Sequence, residues 1–461
     1  METLIRVRSL TKKSSQNTPQ QGTYFIQTWG CQMNEEDSEQ IGLALRTIGF
    51  SPVEDFRSAQ VLILNTCSVR KKPEDKAFSF LGTLAEIKRN FPEIVVGVAG
   101  CMAQIRAKEI REKAHFVDFV VGTAQVTQIA GLVEETLQKR RFKTRLELPE
   151  RRGAVVTNIP LRHIGRAPKL KAFVPIQYGC DKFCTYCIVP STRGRERSRP
   201  TEDILNEVNG LVRHGTREVT LLGQTVNSYG KNLAEGRVSF AELLQKIAEI
   251  PDLLRIRYTS PYPRDFSDEL INTIRDVKKV MPHMHIPLQS GSDTVLRKMK
   301  RIYTAESFLD IVSRMRAAVP NIGMSTDIIV GFPGETEEDF EQTMDMMRKI
   351  RFDAAYMFAY SERPGTAAEG ILGVSEQEKN RRLNHLIAAQ QAITLEINEG
   401  FVGREFKVLI DGRSRKEPAY LSGHTEEFRL VLVPGGDELI GSEVVVRVIS
   451  GHPWGLHCEL S

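Results

Sequence analysis

Short apolar runs that alternate with helix-like segments constrain the fold of this chain more than any other feature. Four such runs lie between residues 23 and 123, at residues 24–27, 61–64, 94–99 and 116–121. Their spacing of about 30 residues is that of successive strand-helix-strand units. Strands joined by helical crossovers lie parallel in one sheet. We therefore predict an N-terminal parallel α/β domain over residues 23–140.

A second alternating series begins at residue 172. Its six apolar runs are residues 173–177, 219–222, 255–258, 283–287, 326–330 and 354–360. Six strand-helix repeats predict a partial (β/α)6 barrel, similar to a TIM barrel, within residues 166–398. Thr336 and Asp339 have the spacing of a capping box, which predicts a helix start. A long polar helix from about residue 375 to residue 398 closes this region.

The pattern changes after Gly400 to short strands broken by turns, at residues 406–410, 429–433, 443–449 and 456–460. This pattern predicts a small all-β barrel over residues 400–461. It contains seven basic and nine acidic residues, so net charge does not indicate that it binds nucleic acid. Only the local group Arg413, Arg415 and Lys416 supports nucleic-acid binding there.

Basic residues are concentrated in two other segments. Residues 139–171 contain eleven Lys or Arg residues against Glu147 and Glu150, although the whole chain carries a net charge of only +5. A second group follows at Arg193, Arg195, Arg197 and Arg199. Such density is typical of a surface that binds a phosphate backbone, which predicts nucleic-acid binding. A solvated linker is the alternative for the first segment.

Hydrophobicity and cysteine count restrict the location of the protein. Its apolar runs are far shorter than the roughly 18 residues that a membrane span needs, and the first 22 residues lack the apolar core of a secretion signal. Seven cysteines, an odd number, indicate reduced thiols rather than disulfides. We therefore expect a cytoplasmic protein without a membrane partner.

Three cysteines form a C-x3-C-x2-C motif directly after the first strand of the predicted central barrel. They are Cys180, Cys184 and Cys187. Three thiolates can hold one [4Fe-4S] cluster and leave one iron free to bind a small molecule. Zinc is the alternative, but a closed zinc site needs a fourth ligand and usually has C-x2-C pairs.

Three further cysteines each follow an apolar strand of the N-terminal domain. They are Cys31, Cys67 and Cys101, separated by 36 and 34 residues. The carboxyl ends of parallel strands meet at one edge of a sheet, so these thiols should converge. Either they hold a second cluster, or they are three unrelated buried cysteines. The lone Cys458 is expected to be an inert core residue.

The C-x3-C-x2-C loop resembles the signature of the radical S-adenosylmethionine superfamily. That resemblance implies that the open iron binds the amino and carboxylate groups of S-adenosylmethionine, and that Tyr186 packs beside its adenine. Packing of this ring beneath the loop is the alternative. Polar residues at barrel strand ends commonly contact a cofactor, so we also assign Gln224, Ser260 and Gln289 to S-adenosylmethionine.

Both cysteine sets and the terminal β barrel together resemble the methylthiotransferase family over residues 23–460. Trp29-Gly-Cys31-Gln-Met-Asn34 and the segment from Gly179 through Arg199 are similar to the branch that acts on N6-isopentenyladenosine in transfer RNA. This chain departs from the usual family pattern at Thr225 and at residues 422–426.

The resemblance implies methylthiolation of C2 of N6-isopentenyladenosine at position 37 of tRNA. One S-adenosylmethionine would methylate sulfur carried at the N-terminal cluster, and a second would supply a 5′-deoxyadenosyl radical. Implied partners are the anticodon stem-loop, a flavodoxin- or ferredoxin-type electron donor, and iron-sulfur assembly or carrier proteins. The alternatives are methylthiolation of N6-threonylcarbamoyladenosine and a non-catalytic iron-sulfur RNA-binding protein.

Overall fold

The computed structural model describes residues 22–68, 71–149, 169–233 and 236–461. Residues 150–168 of the basic stretch lie outside these ranges. The described residues form two compact units. The first contains residues up to 149 together with 178–181 and 187–197, and the second contains 169–177, 182–186 and the chain from 198 onward.

The first unit is built on a six-stranded parallel sheet with the order β2-β1-β3-β4-β5-β6. Its strands are β1 (Gly22–Trp29), β2 (Phe50–Pro52), β3 (Val61–Thr66), β4 (Val95–Ala99), β5 (Phe119–Val121) and β6 (Lys143–Arg145). Its helices are α1 (Gln32–Thr47), α2 (Lys71–Asn90), α3 (Cys101–Lys113), α4 (Ile129–Gln138) and α5 (Val189–Arg193).

Helices cover both faces of this sheet. Leu62 and Leu64 belong to one core cluster, whereas Val61 and Ile63 belong to another. Successive side chains of a strand point to opposite faces, so burial of both faces requires the continuous apolar run seen in β3. The parallel α/β fold predicted for the N-terminal region is confirmed.

The second unit contains two three-stranded parallel sheets, ordered β11-β10-β7 and β12-β13-β14. Their strands are β7 (Lys171–Pro175), β10 (Glu218–Leu222), β11 (Arg255–Tyr258), β12 (His283–His285), β13 (Gly323–Val330) and β14 (Ala354–Ala359). A parallel bridge between Ile256 and Val280 links the two sheets. Strands β8 (Gln177–Tyr178) and β9 (Arg197–Ser198) form a separate pair. The six strands confirm the predicted partial barrel.

Seven helices accompany these strands. They are α6 (Thr201–Arg213), α7 (Phe240–Ala248), α8 (Asp268–Asp276), α9 (Asp293–Lys298), α10 (Ala305–Ala318), α11 (Glu337–Ile350) and α12 (Glu376–Glu399). Thr336 Oγ1 accepts a hydrogen bond from the Asp339 amide, and the Asp339 carboxylate accepts one from the Thr336 amide. This is the predicted capping box. Helix α12 matches the predicted polar helix. None of the described helices is long and apolar enough to cross a bilayer.

The C-terminal part of the second unit is a closed barrel with the order β15-β16-β17-β19-β18. Its strands are β15 (Glu405–Arg413), β16 (Tyr420–Thr425), β17 (Leu430–Pro434), β18 (Glu443–His452) and β19 (Gly455–Leu460). The β barrel was predicted, but strand β16 was not. Its sequence YLSGHT lacks a clear apolar alternation, and Gly423 fits because the strand passes close to the Leu409 carbonyl oxygen.

The β barrel packs against the amino-terminal ends of the parallel strands. Lys171 at the start of β7 pairs with Asp411 at 2.6 Å. Arg255 at the start of β11 donates to the carboxylate of Glu443, and Arg257 donates to backbone carbonyl oxygens of β16 and the turn after it. The carboxyl ends of the strands, where ligands of such sheets bind, therefore lie at the opposite end of this unit.

Candidate metal centres and cofactor site

The thiols of Cys31, Cys67 and Cys101 meet at one edge of the first sheet. Each cysteine follows the end of a strand, and the three strands β1, β3 and β4 are neighbours. Cys67 lies in the middle and is hydrogen-bonded to both other thiols. The predicted convergence is confirmed, and the alternative of three unrelated buried cysteines is wrong.

These hydrogen bonds divide the three thiols into one donor and two acceptors. The pKa of Cys31 is lowered to about 6, mainly by the hydrogen bond from Cys67 and also by the positive charge of Arg193, which together outweigh the effect of burial. The pKa of Cys101 is also lowered, mainly by Cys67, whereas the pKa of Cys67 is raised well above its usual value by both contacts. The edge therefore favours the thiolate form of Cys31 and Cys101, and the thiolate is the form in which cysteine binds a metal.

A network of polar side chains supports this edge. Cys31 Sγ lies 3.4 Å from Asn34 Oδ1, and Asn34 Nδ2 donates to Asn65 Oδ1 at 3.2 Å. Asn65 Nδ2 donates in turn to the Asn34 carbonyl oxygen and to Ser38 Oγ, both at 2.8 Å. Sequence analysis missed Asn65. Its position next to the end of β3, a strand otherwise made of apolar residues and one threonine, was the available signal.

A buried ion pair lies beside the three thiols. Arg193 Nη2 lies 2.6 Å from Asp37 Oδ2, and the two side chains are 4% and 3% exposed. Burial lowers the pKa of Arg193, but the negative charges of Asp37, Cys101 and Cys31 outweigh it and hold that pKa well above its usual value. Arg193 therefore places a permanent positive charge near the thiols.

The donor set fits an iron-sulfur cluster with three thiolate ligands. Three soft ligands at one sheet edge, with a neighbouring positive charge, match the ligation and charge of such a cluster. Within the described ranges, no three His, Cys, Asp or Glu side chains are arranged to enclose a single metal ion. A cubane holds its ligands farther apart than direct thiol contact does, so the cysteine side chains would have to spread to bind it.

The cysteines of the C-x3-C-x2-C loop are divided between the units. Cys180 and Cys187 belong to the first unit, and Cys184 belongs to the second. The Cys180 amide donates to the Gly194 carbonyl oxygen at 3.1 Å. Gly179 has a φ of 72°, and a Cβ there would strike the carbonyl oxygens of Gly194 and Arg195. Glycine is thus required where the loop begins.

In the second unit, Cys184 contacts a partly buried arginine. Arg301 Nη1 donates to Cys184 Sγ at 3.4 Å, and Arg301 Nε donates to the Tyr303 hydroxyl at 3.0 Å. The guanidinium group also lies 4.7 Å from the centre of the Tyr262 ring. Sequence analysis missed Arg301. The guanidinium group can neutralise a thiolate at Cys184.

Tyr186 packs inside the second unit. Its ring makes an edge contact with Phe332 at 6.3 Å and lies against the small core cluster that includes Ala368. The adjacent Thr185 amide donates to the Met299 carbonyl oxygen. The observed contacts are those of a ring packed under the loop, and a role beside adenine stays a prediction.

The other residues predicted to bind S-adenosylmethionine follow strand ends. Gln224 comes after β10, Ser260 after β11 and Gln289 after β12. Ser260 and Gln289 have φ angles of 58° and 69°, a conformation that non-glycine residues rarely adopt. Such strain persists where surrounding contacts hold it, often at ligand sites. The Gln289 amide and carbonyl are fixed by bonds to Asp327 and Ile329.

Gln177 is a candidate that sequence analysis missed. It is fully buried just before the C-x3-C-x2-C loop, and no described residue forms a hydrogen bond with its Oε1 or its Nε2. Its side chain lies close to Gly223 at the end of β10. An unsatisfied buried amide costs roughly 1–3 kcal/mol, so this side chain fits a site completed by a polar ligand. A polar residue at the end of the apolar run 173–177 was the available signal.

Three parts of the chain match known families. Residues 23–122 match the uncharacterized protein family UPF0004, residues 174–347 the radical SAM superfamily, and residues 400–460 the TRAM domain. The tRNA-2-methylthio-N(6)-dimethylallyladenosine synthase of Carboxydothermus hydrogenoformans is 45% identical over 432 residues, which cover 93% of this chain and 97% of the relative. The chain belongs to this synthase family. The synthase of the same name from Moorella thermoacetica is 44% identical over 441 residues, covering 95% and 98% of the two chains.

Solved structures show the same fold as this member of the synthase family. The radical S-adenosylmethionine methyltransferase TsrM from Kitasatospora setae, with tryptophan and a cofactor analogue bound, has a TM-score of 0.53 and 13% identity, covering 73% of this chain and 72% of TsrM. TsrM with cobalamin and a [4Fe-4S] cluster has a TM-score of 0.52 and 14% identity, covering 87% and 81%. The predicted radical S-adenosylmethionine fold is confirmed.

The arginines that the synthase sequence offered for RNA binding differ in exposure. Arg193 is buried with Asp37, Arg197 is buried and donates to backbone carbonyl oxygens, and Arg199 is 1% exposed and pairs with Glu207 at 2.6 Å. Arg195 is partly exposed and contacts Asp181. Burial in the isolated chain argues against direct RNA contact by three of the four.

In the β barrel, the predicted RNA-binding residues are at the surface. Arg415 and Lys416 are exposed, and Arg413 is partly exposed while it pairs with Asp437 at 2.8 Å. Cys458 is buried in the core of the barrel, and burial raises its pKa to about 12. Residues 422–426, where this chain departs from the family pattern, contact the starts of the parallel strands.

Proposed function

We propose that this chain is a radical S-adenosylmethionine tRNA methylthiotransferase. It attaches a methylthio group to C2 of N6-isopentenyladenosine at position 37, in the anticodon loop. The observation that carries the proposal is identity above 40% over more than nine-tenths of the chain to synthases named for this product. Because those relatives are named for the dimethylallyl nucleoside, the threonylcarbamoyl and non-catalytic alternatives are not favoured.

The proposed arrangement has three functional parts. Residues 23–140 form the methylthiotransferase domain, residues 166–398 the radical S-adenosylmethionine domain, and residues 400–461 a TRAM-like barrel. Cys180, Cys184 and Cys187 would hold one [4Fe-4S] cluster, and the other three cysteines of the first unit would hold the auxiliary cluster. When bound, the first cluster would supply the electron that cleaves the sulfonium of S-adenosylmethionine, and the auxiliary cluster would carry the sulfur that is methylated.

Residues at the carboxyl ends of the strands would bind and orient S-adenosylmethionine. Among the described residues, the donor and the acceptor of the Gln177 amide have no partner, which suits the polar groups of this cofactor. Ser260 and Gln289 are held in strained conformations at neighbouring strand ends. Together with Gln224, Tyr186 and the partly buried Arg301, they would fix the cofactor and exclude water from it.

At the auxiliary site, the protein supplies thiolates and a compensating charge. Cys31 has a pKa low enough for the thiolate to form near neutral pH. Arg193 is fixed by Asp37, so its charge stays beside the thiols throughout a reaction. Asn34 and Asn65 restrict the conformation of Cys31 through the bonds described above.

RNA, an electron donor and iron-sulfur carrier proteins are the proposed partners. The RNA is the anticodon stem-loop that bears isopentenyladenosine, and contacts by Arg413, Arg415 and Lys416 are supported by their exposure. The donor would be of the flavodoxin or ferredoxin type. Since its substrate would be mature tRNA, we place the protein in the cytoplasm.

The test is a paired nucleoside assay with anaerobically reconstituted protein, S-adenosylmethionine and dithionite. Two RNA hairpins are compared, one with isopentenyladenosine and one with threonylcarbamoyladenosine in the loop. We expect 5′-deoxyadenosine to form when the first hairpin is present. Methylthiolated nucleoside should form from that hairpin alone. Product from the second hairpin would favour the alternative substrate, and absence of 5′-deoxyadenosine would refute the radical enzyme.

A further inference from the structure

Four aromatic rings form a continuous cluster on the surface of the β barrel. Tyr420 stacks on His457 with ring centres 5.3 Å apart, and His452 stacks on Trp454 at 5.0 Å with the planes only 6° apart. His457 joins the two stacks through edge contacts with His452 at 5.0 Å and Trp454 at 5.1 Å. We call Tyr420, His452, Trp454 and His457 the aromatic patch.

The backbone holds the aromatic patch in place. His452 ends β18 and Gly455 begins β19, and the two residues pair across the hairpin that carries Trp454 in its turn. The His452 carbonyl oxygen accepts a bond from Asn398 Nδ2 at 2.7 Å, and its ring nitrogen lies 3.0 Å from Ser450 Oγ. The rings therefore need little ordering to bind a planar ligand, which lowers the entropic cost of binding.

The aromatic patch is open to solvent. Trp454 is 44% exposed, and the other three rings are only partly buried. The interior of the barrel is filled instead by aliphatic side chains such as Val408, Ile410 and Val446, with Cys458 among them. The rings are thus not required to fill the core, and the exposed part of the cluster, above all Trp454, can contact a partner.

A positively charged loop borders the aromatic patch. Residues 413–419 lead directly into Tyr420, and Arg415 and Lys416 in this loop are exposed. Arg413 is bound to Asp437 and to the Pro418 carbonyl oxygen. Glu417 lies 3.8 Å from the His457 ring nitrogen. Exposed π faces beside exposed cations are the combination that binds single-stranded nucleic acid.

We propose that the aromatic patch is a stacking platform for unpaired nucleobases of the RNA substrate, with Arg415 and Lys416 contacting the adjoining phosphates. The inference deepens the proposed function, on which it rests, by assigning base contacts to residues at a distance from the candidate cofactor site. Rings offer a π face to every base, so the platform is tolerant of sequence.

The experiment measures binding of a fluorescently labelled anticodon stem-loop, with unpaired bases at its end, to the full reconstituted protein. Trp454→Ala should weaken binding about 5-fold to 150-fold, the loss typical of one stacked base. Trp454→Phe should retain most of the affinity. Val445→Ala is the matched control, since Val445 is 43% exposed on the same barrel and lies outside the patch.

Salt dependence separates stacking from phosphate contact. Trp454→Ala should leave the slope of log Kd against log salt unchanged, whereas Arg415→Gln with Lys416→Gln should flatten it by about one to two units. The chain has two tryptophans, and RNA that stacks on Trp454 should quench its fluorescence. The quenching that is lost in Trp454→Phe therefore reports stacking on Trp454. This readout still tests the inference if the alanine variant is unstable.

Unchanged affinity in Trp454→Ala, together with equal quenching in wild type and Trp454→Phe, would overturn the platform. An equal loss in Val445→Ala would overturn it as well, because the effect would then be general to the barrel. The nucleoside assay is independent of both. If the proposed function fails, no methylthiolated product forms, whereas failure of the platform alone leaves product formation intact.

Discussion

Replacement of Arg193 by methionine tests whether this arginine is a structural charge beside the auxiliary site or an RNA contact. The side chain is 4% exposed, and its partner Asp37 is 3% exposed. Removal of one partner from such a pair leaves a buried uncompensated charge and costs about 3–5 kcal/mol. Total stabilities of domains are only about 5–15 kcal/mol, so Arg193→Met should weaken the first unit severely.

Two further variants set the scale of this effect. Arg193→Lys keeps the charge but cannot reproduce both guanidinium contacts with Asp37, at 2.6 and 3.5 Å, so it should be less costly than methionine. Arg193→Met combined with Asp37→Leu removes both charges and should recover most of the loss, because an apolar pair of similar volume replaces an ion pair at little cost.

The assay uses urea unfolding of the iron-free full chain, followed by tryptophan fluorescence in a Trp454→Phe background. Trp29 is then the remaining tryptophan and lies in the first unit. The RNA-binding salt slope of the reconstituted double variant, Arg193→Met with Asp37→Leu, which lacks the charge of Arg193, is measured in parallel and should equal that of wild type. The structural explanation is wrong if the free energy of unfolding of Arg193→Met lies within about 0.5 kcal/mol of wild type and the salt slope of RNA binding by the double variant falls by about one unit.

Three other predictions follow from the two candidate sites and the barrel. Alanine at all three cysteines of the C-x3-C-x2-C loop should reduce iron after reconstitution from about eight to about four per chain and abolish 5′-deoxyadenosine; continued cleavage of S-adenosylmethionine would contradict the assignment. Gln177→Leu removes an unsatisfied amide, so it should raise or preserve thermal stability while it weakens S-adenosylmethionine binding in equilibrium dialysis; unchanged binding would exclude Gln177 from the site. Burial would raise the pKa of Asp411, but the hydrogen bond with His424 and the charge of Lys171 outweigh it and lower that pKa to about 2. The stabilisation by Asp411 should therefore be full above about pH 4 and be lost as the pH falls toward 2, so the free-energy difference between wild type and Asp411→Asn should shrink from pH 5 to pH 3 in urea titrations; a difference that stays constant would contradict the pair.

The positions of the cysteines could be predicted because they depend on topology. Cys31, Cys67 and Cys101 each follow a strand, and parallel strands place those ends at one edge of the sheet. The same reasoning located the six strands of the central barrel to within a few residues. It missed β2 and β6 because three-residue edge strands show too little pattern. It missed β16 because Ser422 and Gly423 interrupt the apolar alternation.

The roles of the arginines could not be predicted because local sequence does not reveal a distant partner. Asp37 lies 156 positions before Arg193, and the sequence shows only that several arginines are close together. Burial reverses the meaning of such a cluster: an exposed arginine attracts phosphate, whereas a buried one balances an internal carboxylate. The unpaired amide of Gln177 could not be predicted for the same reason. Only the fold shows that no described residue is placed to form a hydrogen bond with it.

The attachment of the β barrel at the amino-terminal ends of the strands separates the proposed RNA-binding patch from the proposed cofactor site. Arg255 and Arg257 hold the barrel at those ends, whereas Ser260 and Gln289 follow the carboxyl ends. The strands have three to eight residues, and strand residues rise about 3.3 Å each. The two ends of a strand are therefore roughly 10–26 Å apart. A single nucleoside at the carboxyl ends cannot reach the aromatic patch, but a stem-loop can. The contribution of Trp454 to binding should therefore appear with a hairpin and vanish with isopentenyladenosine alone, since contacts made through a shared RNA require one molecule long enough to span both regions.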